Sequence, residues 1–518
     1  MPSRRVQDLC KAIRNGKDSL DQTDLRRIPL DRDWNDLCLF LAHNHSSNLM
    51  TVVLPLHKLR RGSIQARRDF CRFLQDNDGL QHVILSSDHM ESNTFVEQIL
   101  TVLSKSESVR TIEFRRIRLK DPQATTFLPL QASTSLHSVR ALHLDPATEH
   151  ALFDAMTTFE NVGHLKVVGG SDADANAFLP KLSFLQSLVV ERQGLSRQAL
   201  QSIADLAHHS SFLQNLTVKI QECGPFWTPA QTLLPPNFLA KLGASTSLQR
   251  LCLHKLNWSN MPCQGFSQIL LPKSSLMERV VLEGISDEQG RAMLRAEMPA
   301  SLGSISLNLD WVSVETLLAA ESCFSNNVLM KELYLDGPLI PKMTWRRSSS
   351  TTFRRAHCLA DLSFCEVDWD ILMAWMQRRQ NLALSKTEFA WCIKSLDEHD
   401  ILQLSQVLKE CQHLTALDLF WSPRFSRNTA QCLVANLRQN TTVREIYIND
   451  GLRSPENDVA KAIVAWLRQE CHKVGVRNRV ACLMQSRAPS ALGPCVLGKG
   501  DLSTTFLALQ EGIWNTSV

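Results

Sequence analysis

The 518-residue chain sets 56 Lys and Arg against 52 Asp and Glu, and a formal charge of +4 spread over this length is too weak a field to draw nucleic acid or an anionic membrane. Its 44% hydrophobic and 21% charged residues are the content of a folded chain, which excludes extended disorder. No run approaches the ~18 apolar residues that span a bilayer, residues 1–15 lack the apolar core of a signal peptide, and 15 cysteines sit singly, as at Cys252, Cys411 and Cys432, like reduced core residues. A cytoplasmic or nuclear protein is expected.

In chain order, Val6, Leu9, Cys10 and Ile13 share one helical face, so residues 1–24 read as a helical cap. From Leu25 a period takes over. An aliphatic frame, L-x-x-L-x-L, recurs first weakly at Leu25/Ile28/Leu30 and Leu49/Val52/Leu54. It continues at Leu80/Val83/Leu85, Val109/Ile112/Phe114, Val139/Leu142/Leu144, Val162/Leu165/Val167, Leu185/Leu188/Val190, Leu213/Leu216/Val218 and Leu248/Leu251/Leu253. Later copies are Met277/Val280/Leu282, Leu302/Ile305/Leu307, Met330/Leu333/Leu335, Leu359/Leu362/Phe364, Lys386/Phe389/Trp391, Leu414/Leu417/Leu419 and Val443/Ile446/Ile448. Successive frames lie 23 to 35 residues apart, a regularity that chance does not supply. Alternation inside each frame marks a strand buried on one face, and the stretch after it has helical spacing, as at Phe95, Ile99, Leu100 and Leu103. One unit cannot close a core, so units must stack, strands in a parallel sheet and helices behind it.

These frames resemble leucine-rich repeats of the ribonuclease-inhibitor-like class. The resemblance implies an α/β horseshoe solenoid of about 16 units over residues 25–452, with a concave parallel sheet, convex helices and a C-terminal cap and tail at 453–518. The family's asparagine, three positions after the frame, is mostly replaced, by Asp88, Ile117, Gln193, Gln221, Asp310 and Ser422. Toward the end, Val459, Ala462, Ile463 and Leu467 predict a helix. The Asn478-Arg479 dipeptide and the apolar stretches after it resemble the closing segment of leucine-rich-repeat proteins of unicellular algae.

Two segments break the rhythm. Cys223–Pro236, with Phe226 and Trp227, reads as a rim loop; Trp345–Arg355, basic and serine-rich, reads as a solvated connector or as a phosphorylatable or localisation element. Gly493 to Gly500 has the spacing of a phosphate-binding loop but lacks its hydroxyl residue, and Asp397-Glu398-His399-Asp400 is the polar start of a helix. No zinc-hydrolase helix, nucleophile elbow or paired-cysteine knuckle occurs, so no catalytic residue, metal, cofactor or small-molecule substrate is expected.

Residues between and just after the frame's aliphatics are expected on the concave face. Early and middle units put Arg115, Arg116, His164, Lys166, Arg192, Lys219, Arg250, His254 and Lys255 there or on the rim; late units put Glu332, Tyr334, Asp336, Asp361, Glu388, Asp418, Phe420, Trp421, Glu445, Tyr447 and Asp450 there. The two tyrosines of the chain, both in the late set, join Phe420 and Trp421 in an acidic setting suited to a basic segment of a partner protein. The expected function is a non-catalytic scaffold or recognition module. Two alternatives belong to related architectures. One is a GTPase-activating regulator, whose acidic C-terminal segment is missing here, residues 453–518 holding five acids and eight Lys and Arg; the other is a ubiquitin-ligase substrate adaptor.

Overall fold

The computed structural model describes residues 3–20, 28, 31–43, 49–169, 179–221, 233–270, 276–347, 356–362, 367–381, 387–393, 397–422, 425–450 and 458–485. They fall into two units, Met1–Val281 and Leu282–Val518.

In the first unit the strands are β1 (Ser19–Leu20), β2 (Thr51–Pro55), β3 (His82–Ser86), β4 (Met90–Glu91), β5 (Thr111–Arg115), β6 (Arg118–Leu119), β7 (Ser138–Leu142), β8 (His164–Val168), β9 (Ser187–Arg192), β10 (Asn215–Ile220) and β11 (Arg250–His254). Apart from the short β4–β6 ladder, each pairs in parallel with the next. The register aligns the frames: Val52 lies opposite Val83, then Ile112, Val139, Leu165, Leu188, Leu216 and Leu251, all buried. A helix of 13 residues, Ile64–Asp76 or Arg197–His209, returns the chain and turns Phe70 and Phe73, or Leu200 and Ile203, onto the inner face of the sheet side. Serine at Ser63 and Ser196 caps these helices by accepting a backbone N–H bond three residues on. The fold is a leucine-rich-repeat solenoid in which aliphatic rows stack from repeat to repeat.

β12 (Arg279–Ile285) lies at the division. The second unit contains β13 (Ser304–Leu309), β14 (Glu332–Asp336), β15 (Lys342–Arg347), β16 (Ala356–Asp361), β17 (Thr387–Ile393), β18 (Leu414–Trp421) and β19 (Glu445–Asp450). Parallel pairing joins β13 to β14 and β16 through β19. The expectation of parallel strands throughout fails at β15, which runs antiparallel to both β14 and β16. The reason is local. After β14 the chain turns at Leu339, in the left-handed region at φ 62°, and Met343 and Trp345 supply the alternation of a strand. Trp345 is wholly buried, and Arg347 donates to the carbonyls of Met330 and Asn327 while stacking over Phe324, its guanidinium 4.6 Å from the ring centre. The start of the expected solvated connector is therefore core structure; residues 348–355 lie outside the described residues.

Other boundaries shift. The strand before β2 is β1, at Ser19–Leu20; of the expected first frame only Ile28 lies within the described residues. In β7 and β16 the buried phase falls on Val139/Ala141 and Cys358/Ala360, not on Leu142 and Leu359, because small alanines face the helices there. At the other end one continuous helix runs Asp458–Gln485, so Asn478-Arg479 lies inside it instead of preceding a short helix. Gly475 permits its close approach, since a Cβ there would sit 2.8 Å from the Arg444 carbonyl. The glycine-rich stretch 493–500 and Phe226 and Trp227 lie outside the described residues.

The lost asparagine ladder has a substitute at a different turn. Three residues before the first frame aliphatic stand Asn77, Ser106, Ser210 and Asn440, and Ser133 holds the same place before Leu136, all buried. Asn440 Nδ2 donates to the carbonyls of Leu408 and Cys411 in the preceding repeat while its Oδ1 accepts from Thr442 and Val443. Next to that position, Ser135 and Ser247 each donate to carbonyls one repeat back. Helix-end carbonyls that would otherwise be buried without partners are satisfied this way. Asn478 closes the series, donating to the carbonyls of Asn440 and Val443.

Candidate functional site

In the second unit the pleat decides which late-set residues face away from the helices. Along β14, Leu333 and Leu335 are buried, and Glu332, Tyr334 and Asp336 face out, half-buried. β18 buries Leu417 and Leu419 and leaves Asp418 half-buried and Phe420 40% exposed. On β19, Glu445 is exposed and Tyr447 is 58% exposed. Trp421 does not join them. It shares the phase of Leu417 and Leu419, is buried, and meets Phe425 edge-on with ring centres 4.9 Å apart. Glu388 and Asp450 lie on β17 and β19, opposite His357 and Trp421, and their side chains are outside the described residues.

The inserted strand splits this set in two. β15 lays Arg346 across from Glu332 and Lys342 across from Asp361. Arg346 pairs with Glu332 at 2.7 Å, and Lys342 Nζ stands 3.9 Å from Asp336. The acids around Tyr334 thus meet cations that the strand itself supplies. Burial, then Asp336 and Asp361, pushes the Tyr334 phenol up from its ordinary value. Five strand spacings separate β14 from β19, roughly 24 Å, so Tyr334 and Tyr447 do not form one aromatic group.

The other set is continuous. In the β18–β19 register Ala416 faces Glu445, Asp418 faces Tyr447 and Phe420 faces Asn449. Asn449 Nδ2 donates to Asp418 Oδ1 at 2.5 Å, fixing one carboxylate oxygen. Two large aromatic faces in water, flanked by Asp418 and Glu445, can accept a cation over or beside the rings and cover apolar stems.

The first unit carries the basic residues, with one correction. Arg192 is in phase with Leu188 and Val190 on β9, so its side chain enters the core, where it forms an ion pair with the equally buried Glu149 of helix Pro146–Met156. His164, Lys219 and Arg250 face out and are exposed, and Arg116 and Lys255 take left-handed backbone at the strand ends. Lys166 pairs with Glu191 at 2.8 Å. The residue that sequence reasoning missed is Glu113, buried although it points away from the helices. Arg115 clasps it at 2.5 Å, Arg140 stands 3.8 Å away and His82 3.7 Å away. Its signal was an acid between the frame residues Ile112 and Phe114, two positions before the first of two arginines.

Burial, with Arg140 adding to it, holds His82 below its ordinary value of 6.5, and burial and His89 do the same for His57. Both histidines are therefore favoured neutral in the folded protein. The unfolded chain takes up their protons near 6.5 and the folded chain only at lower pH, so stability should be lost as pH falls through and below that value. Urea midpoints should drop between about pH 7.5 and pH 5, and a His57→Gln/His82→Gln variant should show a shallower drop; equal slopes would remove both groups from the account.

Among the described residues no group of three His, Cys, Asp or Glu is placed to hold a metal, and no helix is long and apolar enough to cross a membrane. No protein-family model and no curated protein matches the sequence. Solved structures give distant likenesses. One is a Bacteroides fragilis protein, 13% identical over 48% of this chain, TM-score 0.28, of which the chain spans 64%. Another is the yeast Rad7 and Elc1 complex, 12% identical, with 88% of this chain and 96% of that one covered, TM-score 0.34. A third is the leucine-rich repeat-containing protein LegL7 of Legionella pneumophila, 13% identical over 76% of this chain and 98% of that one, TM-score 0.30. At such scores the fold rests on the chain's own strand register.

Proposed function

We propose that this protein is a non-catalytic protein-interaction module that holds a basic segment of a partner protein on the outward sheet face around Phe420 and Tyr447. The observation that carries this reading is the pair of exposed aromatics on adjacent strands, held beside Asp418 and Glu445. Exposed Tyr and Phe on rigid strands lose little entropy on binding, and the two acids steer a cationic segment toward them. Return helices of 13 residues, such as Val314–Asn326 and Arg427–Gln439, support placing the repeats in the ribonuclease-inhibitor-like class.

The test is affinity purification followed by kinetics on the captured partner. Phe420→Ala with Tyr447→Ala should weaken binding by about 1–3 kcal/mol, mostly through faster dissociation. Asp418→Lys with Glu445→Lys should slow association in a salt-dependent way. Tyr334→Ala should have little effect. Capture that survives loss of both aromatics, in variants that melt like the parent, would remove the site from this face.

A further inference from the structure

On the helical side of the first unit, a groove of about 550 Å³ runs between helices Ile64–Asp76 and Asn93–Leu103. Ile64, Arg67, Arg68, Cys71 and Arg72 line it from positions three and four apart, a single stripe along one helix; Gln75 and one acid, Asp76, line it at the end of that helix, and Gln98 faces them from the other. From Ile64 to Gln75 the stripe is about 16 Å long. Arg67, Arg68 and Arg72 have no carboxylate partner among the described residues, and Arg67 Nε is shielded from water with no protein acceptor. A shielded guanidinium donor without an acceptor is unfavourable, and stacked cations on one helix face repel. The first turn of this helix holds no acid, so the positive end of its dipole adds to the same potential.

We propose that this groove binds an acidic peptide segment of a partner protein, a second contact, on the helical side of the first unit. Guanidinium forks favour carboxylates over a diffuse field. They are strung along about one and a half helical turns, which matches acids spaced along a chain. Ile64, 63% exposed at one end, gives an apolar side chain of the segment something to cover. Single-stranded nucleic acid would need aromatic rings to stack on, and no aromatic side chain lines this groove.

The experiment is fluorescence anisotropy on the whole protein. The probes are a labelled peptide of glutamate and leucine, its glutamine-for-glutamate counterpart, and labelled oligo(dT). The glutamate peptide should bind with an affinity that falls with salt, and the glutamine peptide should not bind. Arg68→Gln with Arg72→Gln should weaken binding about tenfold or more, with thermal melting unchanged because both side chains are exposed. Arg68→Lys with Arg72→Lys should restore part of it, and Ile64→Ser should weaken it about threefold at unchanged salt dependence. The proposal is overturned by a glutamate peptide that does not bind, by binding indifferent to the double glutamine variant, or by oligo(dT) binding more tightly than the peptide.

Discussion

Arg192→Ala should destabilise the first unit by about 3–5 kcal/mol, the penalty for leaving one member of a buried ion pair alone. Arg192 and Glu149 are each 1% exposed, and the pair joins the end of β9 to helix Pro146–Met156, 43 residues earlier in the chain. Nε and Nη1 of Arg192 are buried without protein acceptors, so Glu149 is what makes the buried guanidinium tolerable. Truncation removes the cation and leaves a buried carboxylate without this counter-charge. Urea unfolding of single and double variants measures this. Arg192→Ala and Glu149→Gln should each cost several kcal/mol, and Arg192→Met with Glu149→Leu should recover most of the loss, because two apolar groups of similar size avoid desolvating any charge. Single variants that unfold with the parent would place Arg192 at the surface with Lys219 and Arg250.

Leu417→Asp should cost the second unit at least about 4 kcal/mol. Leu417 is wholly buried, opposite Trp391 on β17 and Ile446 on β19, so the substitution removes apolar area and leaves a carboxylate between stacked repeats. Leu417→Ala isolates the first part, about 2–5 kcal/mol; the excess in the aspartate variant reports the charge. A buried carboxyl resists ionisation, so the folded variant keeps its proton at a higher pH than the unfolded chain does, and the excess should shrink as pH is lowered. An aspartate variant no less stable than the alanine one, or an excess independent of pH, would show that position 417 faces water.

What the sequence determined by itself is everything that depends on period. The recurring frame fixes strands at β2, β3, β5, β8 to β11, β13, β14, β18 and β19, because a half-buried strand repeats every two residues and a return helix every three to four. The same alternation carried more than the expectation drew from it. Arg192 and Trp421 each stand two residues beyond a buried aliphatic, so their inward phase was legible and their placement on the open face was not a failure of signal. The serine and asparagine ladder was legible too, as a serine or asparagine three places before several frames, but its meaning depends on carbonyls one repeat away.

Tertiary structure alone decided the rest. Whether a short apolar alternation such as Met343 and Trp345 becomes a strand depends on neighbours that offer it a ladder, and β14 and β16 do. That insertion pairs Arg346 and Lys342 with Glu332 and Asp336 and separates Tyr334 from Tyr447, narrowing the candidate site to β18 and β19. Composition counts charges but cannot say which of them meet. Ion pairs such as Arg192 with Glu149 arise from distances between residues far apart in the chain, which folding sets and local spacing does not.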